Sequence, residues 1–233
     1  TIEVTDEATG LSGASNPIEV VDEAAGEARW WADFHGQSEE TIGSNSIDEY
    51  FLYARDRARV DIVAHQGNDF QITDAFWKTV NHTTEKYDAP GEFVTFPGYE
   101  WSGNTPLGGD RNVYHRTEGG PIHHSSHDLL PGERSAYTPA PTADQLFGRL
   151  DASESFVFAH VGGRYADLAM HKEGVEVGVE VHSAWGTFEW LVDEALERGY
   201  RVGICANSDG HKGRPGASYP GPSPFGSYGG LTC

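Results

Sequence analysis

"SFVFAH", residues 155–160, is an apolar run that stops on a single histidine. A short run rich in Phe and Val reads as a buried strand. The same ending recurs along the chain. Residues 29–35 close on His35, "VDIVAH" (60–65) on His65 and "RNVYH" (111–115) on His115. "EFVTFPGYEW" (92–101) puts Glu100 near its end, and "VEVGVEVH" (175–182) closes on His182. "YRVGICANSD" (200–209) closes on Asp209, with His211 two residues on.

Helical segments lie between several of these strands. In "SIDEYFLYARDRAR" (46–59), Ser46 and Glu49 have capping-box spacing, and Ile47, Tyr50, Phe51 and Ala54 form an apolar stripe. "TDAFWKTVNHTTEKY" (73–87) is a second helix. Thr142 and Gln145 start a third, and "TFEWLVDEALERG" (187–199) is closed by Gly199. Alternating strands and helices predict an α/β fold: a parallel sheet covered by helices, open or closed as a barrel. Residues 1–28 read as an acidic N-terminal segment and 29–233 as one domain. The polar stretch 116–141 and the Gly/Pro/Ser-rich tail from Gly213 read as loops.

Bulk composition bounds the function. The formal net charge is −20, which argues against general nucleic-acid binding, because such a surface repels phosphate backbones. With only four lysines, this acidity reads either as salt adaptation or as ordinary solubility charge. Cys205 and Cys233 are too few for a disulfide framework. No apolar run is long enough to span a membrane. The N-terminus lacks a signal-peptide pattern, as a matured secreted chain also would, so the compartment stays unread. No P-loop, dinucleotide fingerprint or nucleophile elbow occurs.

In an α/β barrel the strand C-termini build the active site. Six histidines and two carboxylates fall there by this reading, and burying them together is costly without a compensating charge. A divalent cation supplies that charge, and imidazole with carboxylate suits Zn, Mn or Fe. His182 is either a ligand or a donor that orients one. Arg111, Arg164, Lys212 and Arg214 lie close to these candidates in sequence. They either grip an anionic substrate or pair with Asp110, Asp167 or Asp209.

"WADFHGQSEETIGSNS", "AHQGNDFQITDAFW", "FPGYEWSGNTPLGGDRNVYH", "AHVGGRYAD", "VEVHSAWGTFEW" and "NSDGHKGRPGASYPG" resemble the DUF3604 family, related to the polymerase and histidinol phosphatase (PHP) superfamily. The resemblance runs from about Trp30 to Cys233. It implies a distorted seven-stranded (β/α) barrel with two or three metal ions and phosphoester hydrolysis. The D-x-H-x-H motif of that superfamily falls on Asp33, His35 and Gln37, and its later positions fall on Glu100, His160, Asp209 and His211. Two departures stand out. Gln37 replaces a histidine, and "HQGND" replaces T-D-H, so His65 or Asn68 takes that role. Similar proteins continue beyond "GGLTC", which suggests a processed piece or a missing closing segment.

The expectation is a metal-dependent hydrolase acting on a small anionic substrate, with phosphoesters first. A non-phosphate ester or amide, or a non-catalytic metal-binding domain, is the alternative. Two ions would be held by His35, His65, Glu100, His160, Asp209 and His211. Gln37, Asn68, Asp110, His115 and His182 form an outer set. Arg164 or Arg214 would offset developing charge, and Asp209 or a histidine of the long loop would transfer a proton.

Overall fold

A computed structural model describes residues 1–15, 29–127, 138–216 and 229–233. Two short strands, β1 (Glu3–Thr5) and β2 (Ser12–Ala14), form an exposed antiparallel hairpin within the acidic N-terminal segment. Residues 16–28 of that segment, 128–137 of the long loop and 217–228 of the tail lie outside the described residues.

The body begins with β3 (Ala32–Asp33), α1 (Ile47–Tyr53), β4 (Ile62–Ala64), α2 (Asp74–Tyr87) and β5 (Val94–Phe96). It continues with β6 (Gly98–Ser102), β7 (Asp110–His115), α3 (Ala143–Phe147), β8 (Ser155–Ala159) and β9 (Glu176–Ser183). It ends with β10 (Gly186–Thr187), α4 (Glu189–Glu197) and β11 (Gly203–Ala206). The helix starts follow local chemistry. The Ser46 hydroxyl accepts from the Glu49 N–H while Glu49 accepts from the Ser46 N–H, the reciprocal cap that the spacing predicts. Thr73 caps α2 through the Phe76 N–H, and Thr142 caps α3 through the Gln145 N–H. A π-helical turn, Ala54–Ala58, extends α1, and Arg59 ends it with φ at 59°.

β3, β4 and β5 form a parallel three-stranded sheet. The larger sheet has the order β10-β9-β8-β7-β6, with β11 also paired to β9. β8, β9 and β11 run parallel, but β7 is antiparallel to both β6 and β8. The all-parallel expectation fails here for a reason of length. Only residues 103–109 separate β6 from β7, too few for the crossover that a parallel pair needs. Isolated bridges join Gly36 to Gly210, Asn68 to Glu100 and Ala32 to Thr232. These tie the two sheets together, but among the described residues they do not merge into one closed ladder.

Helices cover the outer faces. Tyr50, Phe51, Phe76 and Val80 from α1 and α2 pack with Val63 and Phe93 in the main core. Leu191 and Ala195 of α4 pack with Ala159 and Val179 in a second cluster. Each fully buried Phe or Leu side chain contributes roughly 1.5–3 kcal/mol. No helix among the described residues is long and apolar enough to cross a membrane.

Candidate metal centre

The strand period of two decides which polar residues meet. β3 delivers Asp33 and, two residues on, His35. β8 ends at Ala159, so His160 is the next residue. β6 carries Glu100, β9 carries Glu180, and Asp209 follows β11. His35, Glu100, His160, Glu180 and Asp209 are all buried. His35 Nε2 lies 3.3 Å from Asp209 Oδ1 and 3.7 Å from Glu100 Oε2. Its Nδ1 lies 3.2 Å from both Glu180 oxygens. His160 Nε2 is 3.4 Å from Glu100 Oε1, and its Nδ1 is 3.9 Å from Glu180 Oε1. The two imidazole rings meet edge to face at 4.6 Å.

Two sets of potential ligand atoms result, each set lying within 4.8 Å of one another. One comes from His35, His160, Glu180 and Asp209, the other from Glu100, Asp110 and His160. His160 belongs to both. His35 Nε2, both nitrogens of His160 and Asp209 Oδ2 are buried without a hydrogen-bond partner. Orphaned buried atoms of this kind cost free energy unless something binds them. Imidazole nitrogens with carboxylate oxygens fit a divalent first-row cation. The residues therefore fit the metal that the sequence predicts. Through its contact with Nδ1, Glu180 also orients the His35 ring, leaving Nε2 aimed at the centre.

Electrostatics agrees with the geometry. Burial works against a charged His35, but Asp209 and Glu180 more than offset it and raise its pKa. Burial also opposes a charged His160, and Glu100 outweighs it. For Glu100, the two histidines overcome burial and hold the carboxyl below its usual range. Burial and the neighbouring Glu100 charge push Asp110 up to about 7. Asp209 is likewise raised by burial. Its backbone has φ at 44°, the left-handed region.

Arg164 resolves one of the two readings of the basic residues. Its Nε donates to Asp110 Oδ1 at 2.5 Å, its backbone N–H donates to Oδ2 at 3.0 Å, and one terminal nitrogen lies 3.6 Å from Glu100. It is thus paired with Asp110 and also faces the centre. Arg111 instead takes a fully buried place beside Glu176. Arg214 is partly buried in the loop after His211.

Gln37 and Asn68 meet at the edge of the cluster. Gln37 Nε2 donates to Asn68 Oδ1 at 3.1 Å and lies 3.5 Å from His211 Nε2. Asn68 in turn donates to the Ser102 hydroxyl at 2.9 Å.

Three expected histidines sit elsewhere. His65 shares its face with Val63, so it points to the helix layer between Tyr50 and Phe76, and its Nε2 accepts from the Ser38 N–H at 3.1 Å. Burial there pulls its pKa down to about 3. His115 closes an antiparallel strand, so it lies at the opposite end from His160. It pairs with Ser155 and the Pro121 carbonyl, and Asp110, at the start of β7, faces the centre instead. His182 lies two residues beyond Glu180 and contacts Thr187 Oγ1 at 2.7 Å. Sequence reasoning missed Glu180, although an acid inside the apolar alternation "VEVGVEVH" was a usable signal.

Comparisons with known proteins bear on the fold and the family. Two solved structures share the fold. One is a two-domain protein of Bacteroides vulgatus containing a predicted PHP-like metal-dependent phosphoesterase, with a TM-score of 0.52 and 14% identity over 86% of this chain and 58% of that one. The other is a candidate metal-dependent phosphoesterase of Bifidobacterium adolescentis, with a TM-score of 0.54 and 12% identity over 83% of this chain and 90% of that one. A curated relative, an uncharacterized protein of Chlamydia pneumoniae, is 26% identical over 165 residues, or 68% of this chain. The chain spans 25% of that relative's length. The family model for DUF3604, described as a protein of unknown function, matches residues 2–153, a stretch that carries His35, Glu100 and Asp110. By that match over more than half its length, the chain belongs to the DUF3604 family.

Proposed function

We propose that this chain is a metal-dependent hydrolase of phosphoesters. The observation that carries the reading is His160, buried and shared between two groups of potential ligands, with Arg164 beside them. On this reading the two bridged sheets are parts of a distorted seven-stranded (β/α) barrel, and the cluster lies at the C-terminal ends of β3, β8 and β11. His35, His160, Glu180 and Asp209 would hold one divalent ion, and Glu100, Asp110 and His160 a second. Zn, Mn and Fe suit these donors. A cation bound there supplies Lewis acidity toward a phosphoryl oxygen and lowers the pKa of water.

The residues of the chain divide the remaining work. Arg164 presents its guanidinium to the phosphoryl oxygens and offsets negative charge that grows on them. Asp110 fixes the angle of that guanidinium through two contacts. Asp209 Oδ2, buried and without a hydrogen-bond partner, takes a proton from the attacking water and returns it to the leaving oxygen. His211 lies beside Gln37 on the loop after β11, and Arg214 follows three residues on. On this reading His65 stands outside the set, and Glu180 supplies a further carboxylate.

The test joins metal analysis with turnover. Purified protein should hold a transition metal in stoichiometric amount and cleave aryl phosphate mono- or diesters. Chelation should abolish cleavage, and metal should restore it. Stoichiometric metal with cleavage of carboxyl esters or amides alone would move the chain to another class of hydrolase.

A further inference from the structure

We propose that the loop after β8 and the start of α4 form an aromatic platform that binds a flat ring on the substrate's leaving group. This inference rests on the phosphoester reading and adds to it the class of substrate. Tyr165 directly follows Arg164, whose guanidinium faces Glu100 and Asp110. The Tyr165 ring lies 6.0 Å from the ring of Trp190, on the first turn of α4. Both rings face solvent, Tyr165 at 57% and Trp190 at 42% exposure. The two exposed rings make one apolar patch beside the loop that carries Arg164, and contiguous exposed apolar patches mark binding surfaces.

The platform is built to stay in place. His160 and Tyr165 sit on one tight loop, closed by a Val161–Tyr165 bridge and by the Ala166 N–H donating to the His160 carbonyl at 3.2 Å. The Tyr165 N–H donates to Thr105 Oγ1 at 3.0 Å, and the Asp167 N–H donates to the Gly108 carbonyl at 2.7 Å. One tied-down loop therefore sets the distance between the reacting end of a substrate and the Tyr165 ring. Little ordering remains to be done when a ligand arrives.

The far side limits the ligand further. Beyond Trp190 a groove of about 660 Å³ is lined by Asp193, Glu194, Glu197 and Arg198. Arg198 is tied to Glu194 at 2.9 Å, so the groove is net acidic. A second anionic group would be repelled there. The fitting substrate is a phosphoester with an uncharged or cationic planar ring.

The experiment compares phenylphosphonate with cyclohexylphosphonate, similar in size and alike in charge but differing in flatness. Calorimetric titration of the purified, metal-containing protein should show the phenyl compound binding about tenfold tighter, the scale of one aromatic contact. Trp190→Ala and Tyr165→Ala should each shrink that ratio toward one, and Trp190→Phe should keep it. Leu196→Ala, exposed elsewhere on the same helix, should leave it unchanged. Equal affinities in the unmodified protein, no binding of phenylphosphonate, or an intact ratio in both alanine variants overturns the platform. A ratio that responds as expected while no phosphoester is cleaved retains the platform and removes the phosphoesterase reading.

Discussion

β9 carries two glutamates four residues apart, and the groups packed around them differ. Glu176 has its charge fully met. Arg111 Nε donates to it at 2.8 Å, and His171 Nδ1 lies 3.0 Å away. The rest of the Arg111 guanidinium donates to the carbonyls of Gly108 and Asp167. Glu180 also faces an imidazole, but the histidines around it keep nitrogens with no hydrogen-bond partner. The β8–β9 ladder slips between the two residues, since Val157 pairs with Glu176 and Phe158 with Gly178. That slip turns the two glutamates to different faces. Buried charge with every donor and acceptor used is a way to hold a loop. Buried charge with atoms left over is a place prepared for a ligand.

The contrast can be broken from its satisfied side first. Arg111→Met should leave Glu176 buried without its guanidinium partner, costing about 3–5 kcal/mol of stability in chemical denaturation. Replacing Glu176 by Leu in the same chain should recover much of that loss. If the single variant is as stable as the parent, the pair is not the staple described.

The next largest effect belongs to the unsatisfied side. His160→Ala removes the residue common to both ligand groups. Metal affinity, followed by titration against a competing chelator, should fall at least about a hundredfold, the upper range for losing even an outer partner. Retention of a full metal complement would disprove the shared-ligand geometry.

Asp69 stands between the two conditions. It accepts from the Ser102 N–H at 2.8 Å, the Ser125 N–H at 2.7 Å and the Ser125 hydroxyl at 3.0 Å. Burial nevertheless raises its pKa to about 6. The folded state therefore holds the proton more tightly than the unfolded chain, whose carboxyl titrates near 3.8. The stability this gives is present below the unfolded value and is lost as pH rises through about 6. Asp69→Asn removes the titration. Between about pH 4 and about pH 7 the stability difference should shift toward the variant by roughly 2–3 kcal/mol. A pH-independent difference would mean that the three donors already offset burial.

The smallest effect is at the edge of the centre. A double-mutant cycle on Gln37→Ala and Asn68→Ala should give a coupling of about 0.5–1.5 kcal/mol, the net worth of one buried hydrogen bond. Zero coupling would show that the two amides act independently.

Much of this centre could be read from the chain. His35, Glu100, His160 and Asp209 stand near strand ends, where a period of two and a polar stop are visible in sequence. The remainder turns on direction and face. An all-parallel reading puts His115 at the site end, and the short 103–109 connection reverses β7. His65 follows Val63, a core residue, so its face was legible from the alternation. Glu180 is marked in sequence as an acid inside an apolar alternation, but the face it takes depends on the ladder slip, which pairing creates. The helix caps at Ser46, Thr73 and Thr142 are local chemistry, and these were readable.

Asp209 sits at φ 44°, where Asn and Asp are tolerated far better than other side chains with a Cβ. Evolution at this position is therefore filtered twice, once for an acidic oxygen and once for a backbone angle. Glutamate would satisfy the first filter and fail the second, asparagine the reverse. The two demands leave aspartate with almost no neutral neighbours, so drift in the family should pass around this residue even where the surrounding loop changes freely.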